Sequence, residues 1–206
     1  MLLKIYPSSI NQKHIQQVVD ALKKDGVVIV PTDTVYAFAA SIQSSKGVET
    51  LCKLKGIDPS KANLSVSFNN LSQVSEYTTQ VNNIVFRVLK KALPGPYTFI
   101  LEASRIVPKI FNNKKKTIGI RIPNNEILQE IIRKLDAPIV TASVHDNDEI
   151  IDYTTDPELI YERYQNQVEI VIDADFGNNV PSTIIDCSSG TPEVLREGLG
   201  SIDNLF

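Results

Sequence analysis

The feature that most constrains this chain is "GVVIVPTDTVY", Gly26 to Tyr36, four consecutive β-branched residues that run into a proline. A strand with one wet face alternates apolar and polar residues, whereas "VVIV" is apolar throughout. Such a strand is buried on both faces and belongs in the middle of a sheet covered on each side. Proline ends the run, and Thr32, Asp33 and Thr34 follow at the strand's C-terminal end. Ligands collect at that end of open α/β sheets. The alternative reading is a turn in which hydroxyl and carboxylate side chains cap the backbone.

The flanking segments alternate between the two periodicities. "LLKIY" reads as a first strand closed by Pro7, and Ile15, Val18, Val19 and Leu22 define a helix from Asn11 to Lys24 with Gly26 at its stop. A helix is expected over about Lys46 to Lys55, then a strand at "NLSVSF". Val81 to Leu93 is expected to be a helix with Ile84, Val85, Val88 and Leu89 on one face, ended by Pro94-Gly95-Pro96. "YTFILEA" and "TIGIRI" read as strands, and Asn124 or Asn125 can cap a helix through Leu135. "APIVTAS", "QVEIVIDA", "STIIDCS" and a short "EVLREG" complete the strands. No Pro/Gly/Ser-rich linker, repeat or low-complexity tract divides the 206 residues. The expectation is one domain, residues 1–206, of the α/β or mixed α+β class on one twisted sheet.

Bulk properties exclude several function classes. A net charge of −3 gives no whole-chain preference for nucleic acid or anionic membrane, so any basic site must be local. No apolar run approaches the ~20 residues of a bilayer span. The N-terminus lacks a signal peptide's order of charged, apolar and small residues. Cys52 and Cys187 are isolated thiols, in keeping with a reducing cytoplasm, and His14 and His145 lie too far apart in sequence to suggest a histidine metal site. There is no GxxxxGK[ST] loop, no GxGxxG and no hydrolase triad order.

Several polar groups stand out. Lys55 and Lys61 flank a Gly/Pro loop and could hold a polyanion as point charges; the alternative is a solvated loop. Lys114 to Lys116 form a basic run that also reads as a solvated turn. Arg121 has the opposite parity to Ile118, Ile120 and Ile122, which puts it on a wet sheet face or commits it to a carboxylate or phosphate. Thr141, Ser143, Ser182 and Thr183 place hydroxyls at strand ends, and Arg196 closes the set.

In order along the chain, "VPTDTVYAFAA", "KGIDPSKANLSVS", "ALPGPYTFILEA", "TIGIRIP", "PIVTAS", "VPSTIID" and "VLREG" resemble the motifs of the YrdC-like domain family, the threonylcarbamoyl-adenylate synthases of tRNA modification. The resemblance implies a twisted open sheet with flanking helices around a large basic cavity. It implies a reaction joining ATP, L-threonine and bicarbonate, with Mg²⁺ and without a tightly bound cofactor. By family position, Thr32, Thr34, Ser67, Arg121 and Ser182 would bind threonine, and Lys55, Lys61, Thr117, Thr141, Ser143 and Arg196 the nucleotide. No residue is assigned a covalent role; positioning and electrostatics would carry the reaction. A threonylcarbamoyl transferase complex acting on tRNA would take the product.

Three departures, Ala37 for the motif's glycine, Ile57 for its arginine and the missing Ala-Asn after Ser143, resemble the YciO branch. They keep open a sister ATP-dependent carbamoyl- or acyl-adenylate enzyme. A double-stranded RNA or tRNA binder using Lys53, Lys55, Lys61 and Lys114 to Lys116 is a further alternative, although basic and aromatic residues are not interleaved.

Overall fold

Strand β2 (Val28–Val30) is buried on both sides, and its neighbours in sequence divide between two apolar cores. Val27 and Ile29 enter one core, Val28 and Val30 the other. This computed structural model describes residues 1–58, 64–108, 116–144 and 154–206, and the two cores lie on opposite faces of one sheet.

The remaining strands in chain order are β1 (Leu2–Lys4), β3 (Ala37–Ser41), β4 (Ser65–Ser67), β5 (Tyr97–Glu102) and β6 (Thr117–Arg121), then β7 (Ile139–Ser143), β8 (Ile170–Asp173), β9 (Thr183–Asp186) and β10 (Glu193–Arg196). The helices are α1 (Gln12–Lys23), α2 (Ser45–Leu54), α3 (Leu71–Tyr77), α4 (Asn83–Ala92), α5 (Glu126–Leu135) and α6 (Pro157–Tyr164). The strands form one open, twisted ten-stranded sheet in the order β1-β8-β2-β3-β7-β4-β6-β5-β9-β10. Parallel pairs (β1/β8, β2/β8, β4/β6, β5/β9) mix with antiparallel ones, so the expected mixed α/β class is found.

Helices α2, α3, α4 and α6 cover the first face of the sheet, where Phe38, Val66, Phe99, Ile120 and Val140 pack. Helices α1 and α5 cover only part of the second face, over Val28, Val30, Ala37, Ala39, Ile139, Ile170 and Ile172. Beyond Ile139 the residues of that face change from aliphatic to hydroxyl-bearing. The half-roofed second face is what positions the site.

Three elements were not expected from sequence: β3, α3 and α6. β3 reads "AFAAS", and alanines give a weak strand signal, although every residue of it is buried between β2 and β7. α3 buries Val74 alone, and α6 begins at Pro157 with Asp156 as its cap. Two details differ from expectation. The left-handed residue after α1 is Asp25 (φ 64°), with Gly26 N–H then closing onto Ala21 O. Ile84, assigned to the buried face of α4, is exposed, while Val85, Val88 and Leu89 are buried.

Candidate active site

After Pro31 the chain makes a tight polar turn. Thr32 Oγ1 donates to Val35 O (2.7 Å) and accepts from Thr34 N (3.0 Å). The two threonine hydroxyls are 3.1 Å apart. Because Thr32 has one hydroxyl proton and gives it to Val35, Thr34 must be the donor between them. Thr32 is thereby fully employed in shaping the turn, and Thr34 keeps oxygen lone pairs directed elsewhere.

They are directed at Arg121. Its Nη2 donates to Thr34 Oγ1 (3.0 Å) and to Asp33 Oδ1 (2.6 Å). Asp33 Oδ2 in turn accepts from Asn124 N (2.9 Å), just ahead of α5. The ion pair is desolvated, with 8% of each side chain exposed. Burial pulls the Arg121 pKa below the usual arginine value, Asp33 opposes that pull, and the like charge of Arg196 adds to it. The Nε of Arg121 is buried and has no hydrogen-bond partner among the described residues. A buried guanidinium with an unpartnered donor has hydrogen-bonding capacity left over. Arg121 lies on the face opposite to Ile118, Ile120 and Ile122, as its parity predicts, but its carboxylate partner belongs to the chain itself.

Register carries the rest of the face. Ser67 pairs with Arg121 across β4/β6, and Ser65 lies between Gly119 and Thr141. Residues directly opposite one another point to the same side. Ser65 Oγ and Ser67 Oγ lie 3.1 and 3.2 Å from Thr141 Oγ1, a hydroxyl triad across β4 and β7. Ser143 and Thr117 share the parity of Thr141 and Arg121 on their strands; Ser143 is half-buried and Thr117 buried. Farther along, Thr98 Oγ1 and Ser182 Oγ are 2.8 Å apart, and Arg196 donates Nε and Nη2 to Ser182 O (3.3 and 2.8 Å). Thr183 is instead structural: its hydroxyl bonds Gly200 O and accepts from Gly198 N. A small cavity of about 120 Å³ opens beside the turn, between Thr32 to Thr34 and Asp175 to Asn178.

Thr34, Ser67, Thr117, Arg121, Thr141, Ser143, Ser182 and Arg196 are therefore joined by register and direct contacts on one face, with Thr32 behind Thr34. Lys55 is half-buried at the C-cap of α2. Lys61, Lys114, Lys115 and His145 lie outside the described residues. Asp33, Ser65 and Thr98 join the site without having been singled out as binding residues. Parity with Ser67 could have signalled Ser65, and the TDT triplet Asp33.

Two sequence departures acquire a physical account. Ala37 opens β3 as a buried residue paired with Val30 and Ser143, and its φ is not positive, so glycine's freedom is not needed there. Ile57 packs against the first core after Gly56 (φ 63°), so that position is apolar rather than cationic. Among the described residues no group of three or more His, Cys, Asp or Glu could hold a metal ion. No helix among the described residues is long and apolar enough to cross a membrane.

Comparison with known proteins agrees with this fold. The chain is 35% identical over 200 residues to the YciO protein of Escherichia coli (strain K12), covering 96% of this chain and 95% of that one. The crystal structure of E. coli YciO superposes with a TM-score of 0.91 at 33% identity, covering 100% and 99%. A putative threonylcarbamoyl-AMP synthase of Methanocaldococcus jannaschii is 30% identical over 209 residues, 99% and 96% of the two chains. The Pyrococcus abyssi Sua5 structure complexed with L-threonine shares the fold, with a TM-score of 0.87 at 23% identity, covering 96% of this chain and 57% of that one. Residues 20–198 match the Sua5/YciO/YrdC family, described as telomere recombination, and the chain belongs to that family.

Proposed function

We propose that the half-roofed face is the active site of an ATP-dependent adenylate-forming enzyme that acts on an amino-acid carbamate, with L-threonine as the amino acid. The observation that carries this reading is Arg121, buried among hydroxyls at a strand end, anchored through Nη2 and with Nε vacant. A guanidinium so held suits a carboxylate. Thr34, Ser67 and Ser182 would orient the amino acid around it. Thr117, Thr141, Ser143 and Arg196, with Lys55 and Lys61, would receive the nucleotide.

In the proposed reaction the amine of threonine adds to the carbon of bicarbonate and water is lost, giving a carbamate. A carbamate oxygen then forms a bond to the α-phosphorus of ATP, and the bond to pyrophosphate breaks. Charge builds on the leaving pyrophosphate, which is where Arg196 helps most. No side chain need form a covalent bond, and hydroxyls that hold the reactants in line suffice for the positioning. Transfer of the product to tRNA would fall to a partner enzyme.

The apolar Ile57 favours one second reading, a sister enzyme in which the same face adenylates a different acyl or carbamoyl acceptor. Pyrophosphate release from ATP, measured with bicarbonate and Mg²⁺ and with or without L-threonine, separates the two. Threonine-dependent release is the expected result. Release only with another amino acid would select the sister reaction, and no release with any amino acid, together with no ATP binding, would end both.

A further inference from the structure

We propose that Asp33 sorts the two anions of the reaction, making the Arg121 subsite electrically neutral so that a carboxylate is accepted there and phosphate is directed to Arg196. This rests on the proposed synthase reading for the identity of the ligands. The two arginines of the face differ in burial, Arg121 being buried and Arg196 exposed, and in partner. Arg121 has a carboxylate against it at 2.6 Å, whereas Arg196 donates only to the neutral carbonyl of Ser182 and has no ion-pair partner among the described residues.

Asp33 cannot easily leave. Its Oδ2 is held by the Asn124 N–H and its Oδ1 by Arg121, in a site that is nearly closed to water. A ligand that reaches the guanidinium of Arg121 therefore meets a locally neutral pair. A singly charged amino-acid carboxylate gains a directional bond at modest repulsion. A phosphate group carrying two or more charges meets the Asp33 carboxylate at close range in a poorly screened setting, where like-charge repulsion is strong. Asp33 is thus a positioning and selectivity residue. It holds Nη2 in place and cancels the charge that would otherwise draw triphosphate into the amino-acid subsite.

The test is calorimetric titration with inorganic pyrophosphate, which needs no turnover. Asp33→Asn keeps an oxygen for Nη2 and removes the charge. It should bind pyrophosphate at least about tenfold more tightly than wild type, or at an added site, because an uncompensated buried guanidinium is exposed to it. The gain should disappear in Asp33→Asn/Arg121→Ala, which leaves no unpaired charge and so remains foldable. In wild type, pyrophosphate affinity should fall about tenfold with Arg196→Ala, and phosphate should not compete with L-threonine. Unchanged pyrophosphate binding by folded Asp33→Asn overturns the proposal, as does competition between phosphate and threonine in wild type. If wild type binds no threonine, the synthase reading fails while the pyrophosphate titrations still decide the role of Asp33. Should Asp33→Asn fail to fold, the Arg196→Ala titration decides: unchanged wild-type-like pyrophosphate affinity there overturns the sorting.

Discussion

Thr34 connects the turn after β2 to the guanidinium of Arg121, and its buried hydroxyl both donates and accepts. Thr34→Val keeps the shape and removes the acceptor, leaving Arg121 Nη2 with Asp33 alone. Losing one such bond costs about 1 kcal/mol, since the charged partner keeps its other acceptor. For a chain of this size that lowers Tm by about 2–4 °C. Threonine affinity should fall with it, because the orientation of Nε depends on how Nη2 is held; unchanged affinity would return Thr34 to a turn residue. Arg121→Ala should be far more damaging, by about 3–5 kcal/mol, because Asp33 is left buried without its counter-ion. Activity lost in that variant is therefore uninformative unless a thermal melt shows it folded. Arg121→Lys, which keeps the charge and loses the planar fork, separates charge from geometry.

At the scale of elements, α5 does two jobs: it roofs part of the second face, and its N-terminal approach holds Asp33 through the Asn124 N–H. Asn125 caps the helix, its Oδ1 accepting from Leu128 N (3.0 Å). Asn125→Ala should cost about 1 kcal/mol. Urea denaturation should show a lower midpoint with an unchanged slope, since the surface exposed on unfolding is the same. The cap was legible in the sequence, as was most of the sheet. β2, β6 and α4 announce themselves by uninterrupted or periodic aliphatic residues, and Arg121 by its parity. What stayed hidden is tertiary. Nothing local to Asp33 says that its partner stands 88 positions away, and nothing in "AFAAS" says that alanines are needed where two helices and a β-sheet crowd together. The role given to Ile84 failed because the helical stripe was drawn one residue too wide.

For the molecule as a whole, an open hydroxyl face with two arginines means that ligand binding should stabilise the fold. A ligand bound only by the native state adds RT ln(1 + [L]/Kd), about 2.7 kcal/mol at a hundredfold excess over Kd. At about 2–4 °C per kcal/mol, saturating ATP with Mg²⁺ should raise Tm by roughly 5–10 °C, and threonine should add to it if the subsites are separate. Double-stranded RNA is expected to behave differently. The net charge of −3 opposes polyanion binding at long range, and the arginines of the face are buried or turned to a carbonyl rather than arrayed along a surface. Any RNA affinity should therefore fall steeply with salt, as counterion release requires, while the ATP-induced shift, drawn from a partly desolvated site, should persist. Thermal melts with ATP and with RNA, each run at low and physiological ionic strength, distinguish these outcomes. A shift with RNA that falls steeply with salt, and none with ATP, would move the face from catalysis to RNA recognition.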